Sequence, residues 1–480
     1  MLFNSLEYLI FLPLVFILYW FVFRQLKLQN LLIVIASYVF YGWWNKEFLI
    51  LIATTTLLSY LSGILIDKLN KKRFYQKIVS GSNIIINIAI LAYFKYCNFF
   101  GESFAELMTL IGFKIDWVTL DIILPIGISF YTFQALSYSI DVYRGKINAT
   151  RDIVAFFAYI SFFPQLVAGP IERATNLLPQ MLKKRIFEYS SAVDGCRQII
   201  WGFFKKLVIA DNCAVAVDTI WSNYQNESGF TLLIGGILFA FQIYGDFSGY
   251  SDIAIGSARL FGINLKQNFN FPYFSRNIAE FWRRWHISLT TWFKDYVYIP
   301  LGGSRCSMPR VILNTIIIFV ISGIWHGANW TFIVWGLYNA ILFIPLLLTH
   351  NNRKYLEVVG CGKILPTFKE CVNIIVTFIL AVFGWIIFRA NSITEAFDYI
   401  GIIFSKSILE FELPYGKRAL IGILIMIIIE WLNRDKKYGL QLTNTGVTKF
   451  TTIRWILYYS IIITTILFMG INQTFIYFQF

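Results

Sequence analysis

The chain has 480 residues, of which 57% are hydrophobic and only 14% charged, and its mean hydropathy is +0.62. A chain this apolar cannot cover itself with polar surface in water, which excludes a soluble enzyme, a disordered hub and a nucleic-acid-binding factor. The net charge of +14 is spread over many short loops, where it sets topology and meets anionic lipid headgroups.

The first apolar stretch lies in MLFNSLEYLIFLPLVFILYWFVF. It has no basic leader and no small-residue cleavage site, so it reads as a retained first helix. Further apolar runs fall near 30–43, 48–66, 79–100, 118–140, 153–169, 197–218, 230–247, 311–326, 328–348, 370–388, 418–432 and 453–471. A membrane-spanning helix needs about 20 apolar residues. Several runs are shorter or carry Gly or Pro, which predicts about 10–12 crossings, some of them tilted or re-entrant. Broken backbone at membrane depth survives only when buried in protein or lining a wet cavity, so a central cavity is expected.

Basic residues follow the first run (Arg24, Lys27), the third (Lys68, Lys71, Lys72, Arg73, Lys77) and the fifth (Arg144, Lys146, Arg151). Arg434, Lys436, Lys437 and Lys449 precede the last run. The positive-inside rule places these loops in the cytoplasm and both termini outside. No hydrophilic stretch is long enough for a soluble domain, so residues 1–480 read as one membrane-embedded unit. The six cysteines show neither CxxC pairs nor metal-ligand spacing.

Ionisable groups at membrane depth are costly and mark function by default. From Val311 to Leu348 no Asp, Glu, Lys or Arg occurs. As one helix this stretch would measure roughly 57 Å, far more than a bilayer, so it must break near Ser322, Gly323 and Gly327. His326 lies at that break. A neutral imidazole there acts either as a general base or as hydrogen-bonding glue between helices. His286 sits in the aromatic and basic run Phe281-Trp-Arg-Arg-Trp-His286. That run reads as an interfacial belt or as an anion site in which Arg283 and Arg284 offer bidentate hydrogen bonds. Asp246 and Asp252 lie beside glycines and hydroxyls, and an arginine such as Arg259 or Arg283 is their expected partner. His350 reads as a loop residue.

These motifs resemble those of the membrane-bound O-acyltransferase family, in the bacterial branch that O-acetylates extracellular polysaccharides. The likeness runs through nearly the whole chain. It includes the opening MLFNSLEYLIFLPL, Leu124–Gln134, Phe163–Arg173, Asp246–Asp252, Phe281–His286, Pro300–Arg305, Trp325–Trp330 and Gly384–Ala390. It implies an all-α polytopic fold, with tilted helices around a central funnel in the membrane of a bacterial cell. His326 matches the family's invariant histidine and His286 its second histidine. Trp325 and Asn329, in the same motif as His326, join Arg283, Arg284 and Asp246 as candidates for substrate contact. The chain ends Phe475-Ile-Tyr-Phe-Gln-Phe480. On residues alone this is an aromatic interfacial anchor. By resemblance Tyr477 is an acyl relay.

The activity so implied uses cytoplasmic acetyl-CoA as donor, with no bound cofactor and no metal. Lys183, Lys184, Lys205 and Lys206 are expected to meet the donor's phosphates. His326 would deprotonate the attacking hydroxyl, and His286 would orient the donor or stabilise the oxyanion. A secreted or membrane-anchored esterase-like O-acetyltransferase would pass acetyl to a surface or cell-wall polysaccharide. Three alternatives stand beside this reading: D-alanyl transfer to teichoic acid, a non-enzymatic glycan transporter, and a scaffold of a polysaccharide-export complex.

Overall fold

The computed structural model describes residues 1–70, 72–113, 117–411, 415–442 and 450–476. Tyr477 and the rest of the terminal motif lie outside the described residues. Among the described residues the protein is all helix and loop, with no β-strand. Seven helices among the described residues are long and apolar enough to cross a membrane: Phe48–Lys68, Arg73–Leu110, Gly229–Leu260, Met308–His326, Trp330–Leu348, Phe368–Arg389 and Thr451–Phe468. Two shorter apolar helices, Leu6–Val22 and Leu26–Gly42, precede them. This is a multi-pass protein of the inner membrane. In lipid every backbone amide must be satisfied internally, and helices do this within one segment.

The chain divides into two compact units. The first comprises residues 1–188 and 260–265. Its helix Ile128–Tyr143 is buried along nearly its whole length. Asn30, itself buried, accepts a hydrogen bond from Arg185 and donates to the Met181 carbonyl at 2.8 Å. Lys183 and Lys184 beside them are exposed.

The second unit comprises residues 189–259 and 266–480. Two features position its chemistry. The first is a close helix crossing. Helix Tyr189–Phe203 continues through a π-helical segment, Phe204–Ala210, into helix Asp211–Ser222. It crosses Gly229–Leu260 at two glycine pairs. A Cβ on Gly202 would lie 2.6 Å from the Gly249 carbonyl oxygen, and one on Gly256 would lie 2.5 Å from that of Gly195. Only residues without a side chain allow backbones so near, which is how membrane helices gain packing without a hydrophobic driving force. Lys205 and Lys206, just past Gly202, are thereby brought against the Asp246–Asp252 stretch.

The second feature is a helical hairpin. Helix Met308–His326 stops because Gly327 adopts an extended conformation, and Trp330–Leu348 starts with Asn329 as its cap, accepting from the Thr331 amide at 3.0 Å. The break expected from the uncharged 311–348 stretch is therefore present. Gly323 and Gly336 let the two arms touch: a Cβ on either would overlap a carbonyl of the opposite helix.

Candidate active site

The site is built on that hairpin. Thr315, Phe319, Ser322 and His326 recur at spacings of four, three and four, so they share one face of helix Met308–His326. All four line a cavity of about 330 Å³. The His326 ring is 4% exposed. It is held edge-on by Trp325, Trp335 and Phe388, with ring centroids at 4.9, 5.1 and 5.4 Å.

His286 lines the same cavity from another element. It joins two short helices, Ile278–Arg284 and Ile287–Phe293. Its backbone is left-handed, with φ 43°, which for a residue with a Cβ costs on the order of 1–3 kcal/mol. Surrounding bonds hold it there. The Ile287 amide donates to the Asn268 carbonyl at 2.8 Å, and His286 Nδ1 lies 3.0 Å from Asn268 Oδ1. Ser288 Oγ also donates to that oxygen, at 2.8 Å, while Asn268 Nδ2 donates to Ser251 Oγ at 3.0 Å. The amide is thus oriented with its oxygen toward His286. Nδ1 then carries the proton and Nε2 the lone pair, an assignment from the hydrogen-bond network. A neutral His286 in this tautomer accepts at Nε2. Stabilising an oxyanion from Nε2 would need the imidazolium, so the orienting role is the one this geometry favours.

The cavity has two ends of different character. His286, His326, Trp282, Trp285 and Phe293 are buried, whereas Lys294 and Arg353 are exposed. A basic opening therefore leads to an aromatic interior holding two imidazoles. Sequence reading missed Lys294 and Arg353 as one rim, since they are far apart in the chain. The helical spacing of Thr315, Phe319, Ser322 and His326 was a signal that could have found that wall.

The other candidates divide. Arg283 lines the cavity, but its guanidinium donates to the carbonyls of Asn352 and Tyr355, both at 2.6 Å. It holds the loop that carries Arg353. Arg284 pairs with Glu280 at 2.9 Å and donates to the Asn270 carbonyl at 3.2 Å. Trp325 stands between the two histidines, 5.9 Å from the His286 ring. Asn329 is spent on capping and on the Asn391 carbonyl, 2.9 Å away. His350 is an exposed loop residue.

The acids correct the sequence reading. Arg259 pairs with Asp194 rather than with Asp246 or Asp252. Lys205 lies 2.5 Å from Asp252, and Lys206 lies 2.9 Å from both Asp246 and Asp211. Both lysines are at least 97% buried, so they do not meet a donor's phosphates. Each is matched by carboxylates because an unpaired ammonium in this interior would be prohibitive.

The profile of the membrane-bound O-acyltransferase family matches residues 146–360, which contain every residue of the cavity wall. The chain is 40% identical over 381 residues to the probable alginate O-acetylase AlgI of Pseudomonas aeruginosa, covering 79% of this chain and 70% of that one. The chain belongs to the membrane-bound O-acyltransferase family. Within it, the chain falls in the branch of the alginate O-acetylases. Identity to the Azotobacter vinelandii probable alginate O-acetylase AlgI is 38% over 406 residues, 84% of this chain and 78% of the relative. A peptidoglycan O-acetyltransferase of Helicobacter pylori is 34% identical over 394 residues, 76% and 72% of the two chains. As a member of the membrane-bound O-acyltransferase family, this protein is a membrane acyltransferase, and its cavity with two histidines is the candidate active site.

Proposed function

We propose that this acyltransferase takes acetyl from cytoplasmic acetyl-CoA and delivers it across the membrane to an extracytoplasmic partner that O-acetylates a polysaccharide. The observation that carries the reading is the meeting of His326 and His286 in one cavity wall, at the buried end of a basic opening. The names of the relatives, O-acetylases of alginate and of peptidoglycan, support acetyl as the group moved.

In this reading the apolar wall takes the thioester arm, and Lys294 and Arg353 meet the donor's phosphates. His286, accepting at Nε2, orients a donor or acceptor hydrogen. His326 removes the proton of the attacking hydroxyl as its oxygen bonds to the thioester carbon. The tetrahedral intermediate collapses, the carbon–sulfur bond breaks, and the thiolate takes the proton back from His326. The attacking hydroxyl is the Tyr477 phenol. Its acetyl ester is then discharged to a secreted or membrane-anchored esterase-like O-acetyltransferase. A phenol has a pKa near 10, so proton loss and bond formation are concerted rather than passing through free phenolate.

The test is a labelling experiment. The purified protein in nanodiscs is incubated with acetyl-labelled acetyl-CoA, and labelled peptides are located by mass spectrometry. Label on Tyr477 is expected, at a rate lowered about 10- to 100-fold in His286→Ala. A parallel incubation with a D-alanyl carrier-protein thioester should give none. Absence of both label and CoA release from folded protein would remove acetyl-CoA as donor.

A further inference from the structure

The last spanning helix, Thr451–Phe468, is followed by a tail that does not run off into solvent. The tail lies along the π-helical segment Phe204–Ala210. Gly470 donates its amide to the Leu207 carbonyl at 2.9 Å, and Asn212 Nδ2 donates to the Phe468 carbonyl at 2.8 Å. A π turn shifts the hydrogen-bond partner by one residue and leaves a carbonyl without an in-helix donor. The Leu207 carbonyl in this segment accepts from the Gly470 amide and, at 3.5 Å, from Asn212 Nδ2. The approach is close enough that a Cβ on Gly470 would lie 3.0 Å from the Asp211 and Asn212 backbone.

Further along, Lys206 Nζ donates to the Gln473 carbonyl at 3.1 Å, and the Ile476 amide donates to Asp246 Oδ2 at 2.7 Å. Phe475 packs on Tyr250, with ring centroids 4.6 Å apart, and on Phe247 at 6.0 Å. Phe247 in turn meets the His286 ring at 4.6 Å. Phe475 and Ile476 are each 1% exposed, whereas Ile471 is 73% exposed. The tail therefore enters the protein between residues 471 and 476. It enters where two buried carboxylates, Asp211 and Asp246, share one ammonium. That set is short of donors, and a backbone amide is a donor that carries no further charge.

We infer that the network of Lys206, Asp211 and Asp246 is a dock for the C-terminal tail, and that Asp246 is a positioning residue. By holding the amide of Ile476, Asp246 anchors the residue immediately before Tyr477, and transfer to Tyr477 depends on that anchor. The inference rests on the relay reading of Tyr477 and assigns Asp246 to the acceptor rather than to the donor.

The experiment uses the full-length protein in nanodiscs and two readouts, amide hydrogen exchange of the 470–480 peptide and acetyl label on Tyr477. Asp246→Ala and Ile476→Pro both remove the bond, the second from the tail side without touching the buried charges. Each should raise tail exchange by about tenfold or more and lower Tyr477 labelling to a similar degree. Asp246→Asn keeps an acceptor oxygen for the amide and should restore both, and Ile471→Ala, at an exposed position of the same tail, should change neither. Unchanged tail exchange in Ile476→Pro overturns the dock. A protected tail in the unaltered protein with no label on Tyr477 overturns the relay and leaves the dock standing.

Discussion

Replacing His326 with glutamine should abolish acyl transfer, by about 10²- to 10⁴-fold, and leave the protein folded. The ring sits at the end of a helix and packs on Trp325, Trp335 and Phe388, so truncation to alanine would open a void among large aromatics. Glutamine fills most of that volume and cannot serve as a base near neutral pH. The loss should therefore appear in acetyl-dependent CoA release and in Tyr477 labelling, with little change in the thermal midpoint of the detergent-solubilised protein. His326→Ala should lose the same activity and also melt earlier. Full transfer by a folded His326→Gln variant would end the general-base assignment.

The largest expected effect on stability is at Lys206. Its ammonium is 2.9 Å from both Asp211 and Asp246, and all three residues are at least 98% buried. Lys206→Met keeps the length of the side chain and removes the charge. Two carboxylates are then left together without a cation, which costs about 3–5 kcal/mol. Neutralising one of them should recover part of the loss, so Lys206→Met with Asp211→Asn is expected to melt above Lys206→Met alone. Equal midpoints for the unaltered protein and Lys206→Met would show that the network contributes nothing to stability.

What could be read from the sequence was whatever hydrophobicity makes expensive. The 311–348 stretch was too long for one crossing, so its break was forced, and glycine marked the place. His326 and His286 stood out because ionisable groups are rare in such segments, and the structure brings them to one cavity. Pairing was not legible. Charge alone pairs Asp246 and Asp252 with arginines and gives Lys205 and Lys206 to a donor, although both lysines lie inside the apolar run 197–218. The π-helical segment that buries those lysines leaves no mark in composition. The glycines at 195, 202, 249 and 256 did carry a signal, since both helices repeat at seven residues where they cross. Arg283 and Arg284 illustrate the opposite difficulty. Their partners are largely backbone carbonyls of distant loops, which no side-chain pattern announces.

The π-helical segment also constrains how this gene can change. An α-helix turns about 100° per residue, and the π segment accommodates one residue beyond the regular repeat. Deleting a single codon within 204–210 would let the helix become regular throughout. The wide turn holds the extra residue, so the helix beyond it would keep its present face toward its neighbours rather than turn. Cys213, Val217 and Ile220 would stay buried, and what would be lost is the wide turn whose Leu207 carbonyl receives the tail. Deleting a codon within the regular turns of Asp211–Ser222 has the opposite effect, and swings the residues beyond it by about 100°. A change of length by one residue therefore leaves the core in register at the π segment and disrupts it in the α-helical turns beyond.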